Sequence, residues 1–248
     1  MVSINSNGLP RPIPAAVQLE VRKRCGFGCV ICGVCFYDYE HFNPKYCDAS
    51  EHKPEGITLL CMQCNQKRER GLLSLETVIR CNTDPKCLEQ GFSREWLDFG
   101  SQSVEITIGS CRFTWGAVLT IAGDPILAVD KPAFPGQPWL LSAKLADSNG
   151  NVALEIEDNH LIAHSSNWDV KIKGSRVIVR QRMRKRCLVL RMVPPSEIIV
   201  ESLDMAWKGR LIKADARSIR IKHPGSIGWS KFANWHVQSN HGMGGFSF

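Results

Sequence analysis

Cys29-Val30-Ile31-Cys32-Gly33 and, after 27 intervening residues, Cys61-Met62-Gln63-Cys64 are the stretches on which the reading of this 248-residue chain turns. A CxxC followed by glycine makes a tight knuckle that aims two thiolates at one point. Two such knuckles complete the tetrahedral four-cysteine shell that Zn2+ prefers in structural sites. Cys25 and Cys35 offer other pairings, Cys25-x3-Cys29 or Cys32-x2-Cys35, and the 29/32 pair is preferred because Gly33 follows it. Nine of the 11 cysteines lie between Cys25 and Cys87, a crowding that in a reducing compartment points to metal rather than disulfides. Cys47, Cys81, Cys87, Cys111 and Cys187 read as small buried hydrophobes. A zinc site stabilises directly a domain too small to bury a large core.

Around the knuckles the elements are short. Ala15 to Arg24 predicts a helix with Arg22, Lys23 and Arg24 in its last turn, where cations suit the dipole. Cys29 to Tyr39 reads as a hairpin, Asn43 to Gly56 as a polar loop, and Ile57 to Leu60 as an apolar run. Met62 to Arg70 is a helix of good formers stopped by Gly71, and Ser74 caps another through Arg80. The opening, Met1 to Pro14, reads as a flexible arm laid against something larger, without chemistry of its own.

After Gly100 the pattern changes to period-two alternation in many short runs separated by Gly, Asn, Asp and Pro, with Asn149-Gly150 as the strongest hairpin signal. The fold class expected is therefore α+β. A zinc-stabilised N-terminal domain (1–98) precedes an all-β domain (99–222; sandwich, barrel or short solenoid), and a Gly- and aromatic-rich tail covers 223–248. Residues 1–98 are electrically neutral, so the whole +7 excess lies beyond them, and 171–222 alone carries +11. Arg180, Arg182, Arg184, Lys185 and Arg186 concentrate it on a strand entering a turn, a pattern that suits contact with phosphates. The tryptophans read as core packing. The composition, 44% hydrophobic and 22% charged, excludes a disordered or fibrous chain. No apolar run of about 18 residues is present, and no leader is read, so a cytoplasmic location without membrane contact is expected.

Between the knuckles lies Tyr39-Glu40-His41-Phe42-Asn43-Pro44, and directly after the second comes Asn65-Gln66-Lys67. In the order and spacing of Cys29/Cys32, Glu40-His41, the apolar run 57–60, Cys61/Cys64, and Asn65 with Lys67, residues 15–75 resemble the HNH nuclease family. The variant with a four-cysteine zinc and a terminal Asn is similar to its endonuclease VII-like branch.

The resemblance implies a ββα-metal domain, with zinc on Cys29, Cys32, Cys61 and Cys64. It implies Glu40 and Asn65 as oxygen donors to a catalytic Mg2+ or Mn2+, and His41 as general base. Where the family carries a middle Asn this chain has Gly56; Asn43 and His52 are the candidates to take its place. Lys67 or Arg68 would hold a neighbouring phosphate. The function expected is metal-dependent hydrolysis of DNA phosphodiester bonds, in a phage-defence effector or restriction-type nuclease. The β domain would recruit DNA, a protein partner or a second copy. The alternative is a zinc-dependent nucleic-acid-binding regulator that does not cut.

Overall fold

The structure is a computed structural model and describes residues 3–100, 104–114, 117–237 and 244–247, the side chains of 117–118 and 244–247 excepted. It divides into two compact units. One holds the chain up to Glu95 together with Ala163–Asp169; the other holds Trp96–Ile162 and the chain from Val170 onward. The expected boundary at residue 98 thus falls after Glu95, and a short segment from the second half belongs to the first unit.

In the first unit α1 (Ala15–Arg24) follows Pro14 and ends in the three cations expected there. The antiparallel pair β1 (Asp38–His41) and β2 (Ile57–Leu60) sets Glu40 opposite Thr58 and His41 opposite Ile57. All four β2 residues are buried, because α1 and the cysteine knuckles cover the strand. Val21, Ile57, Leu59 and Leu60 share one core with Cys25, Cys29, Val30, Cys61 and Cys64. Each of those aliphatic side chains contributes about 1.5–3 kcal/mol by leaving water.

α2 (Met62–Glu69) starts directly after β2, and Gly71, at φ +72°, lets the chain turn back so that the Leu72 N–H reaches the Lys67 carbonyl at 2.8 Å. Ser74 caps α3 (Leu75–Thr83) by accepting from the Thr77 N–H at 3.1 Å. α4 (Lys86–Glu89) and β3 (Phe92–Trp96) complete the N-terminal elements.

The hairpin expected over 29–39 does not form. The chain instead closes a knuckle, with the Cys29 N–H on the Val34 carbonyl and the Gly33 N–H on the Cys29 carbonyl, and Val34 then makes a lone parallel bridge to Arg94. Gly33 at φ +78° permits the closure.

The second unit is built of strands: β4 (Glu105–Ile108), β5 (Cys111–Phe113), β6 (Ala117–Ile121), β7 (Asp124–Asp130), β8 (Leu140–Ala146), β9 (Val152–Glu157), β10 (His160–His164), β11 (Asp169–Lys173), β12 (Arg176–Arg182), β13 (Lys185–Val193), β14 (Glu197–Trp207), β15 (Arg210–Asp215), β16 (Ser218–Lys222), β17 (Ser230–Phe232), β18 (His236–Val237) and β19 (Gly244–Ser247). One sheet runs β19-β6-β7-β8-β9-β10 and another β11 through β17 in sequence order, with β4 beside β14 and β5 beside both β4 and β18. The pairs β6–β7, β7–β8, β8–β9 and β12 through β17 are antiparallel neighbours in the chain, a meander rather than the parallel coil of a solenoid.

Gly123-Asp124-Pro125 is only partly a turn. Ala122 and Gly123 take the positive φ values of a two-residue hairpin, and β7 resumes at Asp124 with Pro125 beside a register shift, where a missing N–H is tolerated. The region 223–248 is likewise no separate tail, since β17, β18 and β19 each join a sheet. Among the described tryptophans none is fully buried, and Trp96, Trp229 and Trp235 are exposed, so they do not form the core.

Candidate metal centre and active site

Cys29, Cys32, Cys61 and Cys64 bring their sulfur atoms within 4.8 Å of one another. A tetrahedral zinc–thiolate shell, with Zn–S near 2.3 Å, spaces sulfurs by roughly 3.8 Å, so this group could hold the ion. Cys32 Sγ lies 3.6 Å from Cys61 Sγ. The hydrogen bond from the Cys32 thiol draws the Cys29 thiol down to about 5, while burial and the neighbouring sulfurs push Cys64 up to about 12. Cys61 is also the N-cap of α2, its sulfur accepting from the Cys64 N–H at 3.4 Å, so the group sits where the helix dipole favours thiolate charge.

Among the described residues this is the only group of three or more thiol, imidazole or carboxylate side chains placed to hold an ion. Cys25 and Cys35, the alternative partners, are buried outside it. Cys87, Cys111 and Cys187 are buried as expected, and burial pushes the Cys87 thiol up to about 12; Cys47 is exposed and Cys81 half-buried, contrary to the reading as core residues.

Successive residues of β1 face opposite ways, and Glu40 and His41 accordingly line different cavities. Glu40 lines one of about 240 Å³ with Lys45, Tyr46, Cys47, Arg68 and Glu69. Its carboxyl is raised above the usual range, first by burial and then by Glu69, with Arg68 and Arg11 opposing. Glu69 does not stand out in the sequence because nothing marks one acidic residue on a charged helix face. Asn65 stands in the first turn of α2, and its Oδ1 is buried with no hydrogen-bond partner among the described residues. Such an orphan acceptor is costly unless something occupies it, and a hard cation is one occupant that fits. Lys67 is exposed on the same helix.

His41 is 8% exposed, and its Nε2 lies 3.0 Å from Nδ1 of His52. Tyr46 stands edge-on to the His41 ring at 5.5 Å. Burial pushes the His41 imidazole below its ordinary value, and His52 and Arg11 add to the effect. Beside it opens a cavity of about 70 Å³ lined by Pro44, Ser50, Glu51, Lys53 and Gly56.

Of the two candidates to replace the middle Asn, His52 thus reaches His41, whereas Asn43 contributes its backbone. The Asn43 carbonyl packs so close to Gly56 that an added Cβ would lie 2.3 Å from it. A side chain at 56 is sterically barred, and the loop is closed instead by the Phe42 N–H on the Gly56 carbonyl at 3.0 Å. Arg24 secures the same place, donating to the Pro54 carbonyl at 2.7 Å and to the Ile57 carbonyl.

The N-terminal arm is not loose. Asn5 Nδ2 donates to the Tyr46 and Ala49 carbonyls, Ser6 Oγ to the Cys47 carbonyl and Asn7 Nδ2 to the Asp48 carbonyl, while the Tyr46 hydroxyl donates to the Leu9 carbonyl. Asn5 Oδ1 folds the arm on itself by accepting from the Asn7 and Leu9 N–H groups. The arm thus lies against a larger body, as expected, and its short polar side chains are the fasteners.

In the second unit Arg182, Arg184 and Arg186 are exposed, and Arg184 takes φ +62° in the hairpin turn between β12 and β13. Lys185 donates to Ser148 Oγ at 3.0 Å, and Arg180 lies opposite Arg186 in the ladder. Other cations of the basic stretch are paired, and Arg176 and Arg191 share Glu201.

Compared with protein-family models, curated proteins and solved structures, the chain matches none of them. Among the described residues no helix is long and apolar enough to cross a membrane.

Proposed function

We propose that this protein is a divalent-metal-dependent endonuclease of the HNH type that hydrolyses DNA phosphodiester bonds, with zinc as its structural ion. One observation carries the reading. The antiparallel pair β1–β2 runs directly into α2, and this arrangement places a four-cysteine group at the cap of the helix, the orphan Asn65 oxygen one turn in, and buried His41 at the end of the hairpin. Zinc would lock the first turn of α2 to the knuckle and so hold Asn65 in place, a structural role for a closed shell of four thiolates.

Glu40 and Asn65 are the residues that would hold Mg2+ or Mn2+, whose preference is for oxygen donors. When bound, that cation supplies positive charge to the phosphate as charge builds on it. His41 takes a proton from the attacking water. The water oxygen bonds to phosphorus, the bond to the 3′ oxygen breaks, and that oxygen leaves with a proton from solvent. Arg68, beside Glu40, would hold a neighbouring phosphate, a role Lys67 shares as an exposed cation. None of these groups reads bases, so placement on DNA is left to contacts with the backbone elsewhere. The exposed arginines 182, 184 and 186 are suited to that.

The test is supercoiled plasmid with Mg2+ or Mn2+, using the zinc-loaded protein beside His41→Ala and Asn65→Ala. Nicking by the parent and its loss in both variants is expected. Nicking that survives His41→Ala removes the assigned base, and no nicking by the parent under either metal favours a zinc-dependent nucleic-acid binder.

A further inference from the structure

The His41–His52 contact extends one step further. His52 Nε2 lies 2.8 Å from the Pro10 carbonyl oxygen, so the N-terminal arm, the loop and β1 share one chain of polar groups. The direction of each hydrogen bond follows from what each atom can do. A carbonyl oxygen only accepts, so His52 Nε2 carries the hydrogen. In a neutral ring that leaves His52 Nδ1 bare, and a bare nitrogen accepts. The hydrogen between the rings therefore belongs to His41 Nε2, and the unprotonated nitrogen of His41 is Nδ1. These tautomers are assigned from the hydrogen bonds.

We propose that His52 is the positioning residue of His41, and that the Pro10 carbonyl, held by the N-terminal arm, sets the tautomer of both imidazoles so that His41 Nδ1 is the proton-accepting atom. The chemical use of that atom rests on the nuclease reading; the relay itself does not. An imidazole with a fixed partner on one nitrogen presents the other in a single orientation, which is how second partners tune catalytic and ligating histidines elsewhere.

Pro10 is held from both sides. Leu9, immediately before it, is 8% exposed, and its carbonyl accepts from the Tyr46 hydroxyl at 2.8 Å. Arg11, immediately after it, places its guanidinium 5.2 Å from the centre of the Tyr46 ring. Tyr46 is also the aromatic neighbour of His41, so the arm contacts both Tyr46 and His52, two residues packed on the base. Further back, Asn5 binds the carbonyls of Tyr46 and Ala49. With Gly56 unable to carry the Asn that holds this loop in the resembled family, the arm and His52 do the holding.

Long-range proton–nitrogen spectra of the full-length, zinc-loaded protein read the tautomer of each histidine, and plasmid nicking reads the consequence. In the parent, His41 and His52 should both carry hydrogen on Nε2. In His52→Leu the His41 ring should become a mixture of tautomers and nicking should fall about tenfold or more, through kcat rather than KM. His52→Asn keeps an acceptor near the former Nδ1, so it should restore the His41 tautomer and most of the rate.

Asn5→Ala, which loosens the arm without touching either ring, should shift the His52 tautomer part-way. A parent His41 with hydrogen on Nδ1, or a His52→Leu protein with the parent's His41 tautomer, overturns the proposal. If the parent shows the expected tautomers and nicks nothing, the relay stands and the nuclease reading falls.

Discussion

Arg22 on α1 grips Asp169, 147 residues further along the chain, with two parallel hydrogen bonds of 2.7 and 3.0 Å, and both side chains are almost wholly buried. Its remaining Nη1 donates to the Tyr39 hydroxyl at 2.6 Å, one residue before Glu40. Burial by itself would lower the guanidinium's affinity for its proton; the Asp169 hydrogen bond and the nearby tyrosines more than offset that, and Arg22 stays charged. The segment 163–169 is thereby fastened into the first unit and to the strand that carries the proposed catalytic groups.

Asp169→Ala leaves that charge buried without a partner and should destabilise the protein by about 3–5 kcal/mol, read from urea unfolding. Tyr39→Phe removes two hydrogen bonds, from Arg22 and to the Gln18 carbonyl, and should cost about 1–2 kcal/mol. Equal costs for the two would mean that the ion pair is not what holds the segment.

Zinc content discriminates the ligand set. The parent and Cys47→Ser should each carry one ion per chain by native mass spectrometry, and Cys61→Ser should lose it although a serine there can still cap α2. A Cys47→Ser protein without zinc would refute the assignment.

If β12 and β13 hold DNA phosphates, Arg182→Ala with Arg184→Ala should weaken binding uniformly across sequences. The slope of log affinity against log salt should shrink by roughly 2, about one per lost contact. An unchanged slope returns these arginines to ordinary solvated surface.

Glu201 offers a pH prediction remote from any metal. The Arg176 hydrogen bond, with help from Arg191 and against some burial, holds its carboxyl below the ordinary value of 4.5. A depressed carboxylate stabilises the fold above its unfolded pKa, and that contribution disappears as pH falls through the lower folded value. Carbon NMR titration should therefore place Glu201 below 4.5, and Arg176→Gln should move it upward.

Much of the first unit is written in local chemistry. The CxxC spacing, the Gly33 turn, the Ser74 cap and the Gly71 stop each act within a few residues, and each element they mark is present. The all-β character of the second unit is legible for the same reason, since alternation and turn residues are short-range signals. β7 escapes a reading of the sequence because the Asp124-Pro125 pair resembles a turn until a neighbouring strand fixes its register.

The sequence by itself determined the four cysteines that can share one ion, the candidate pair Glu40-His41, the position of Asn65, and the uneven distribution of charge. Only tertiary structure decided that the N-terminal arm binds the loop, that Gly56 leaves no room for a side chain, and that Asp169 returns to Arg22. These relations join residues from 13 to 147 positions apart, through backbone carbonyls and a buried ion pair, and such contacts leave no periodic or compositional trace along the chain.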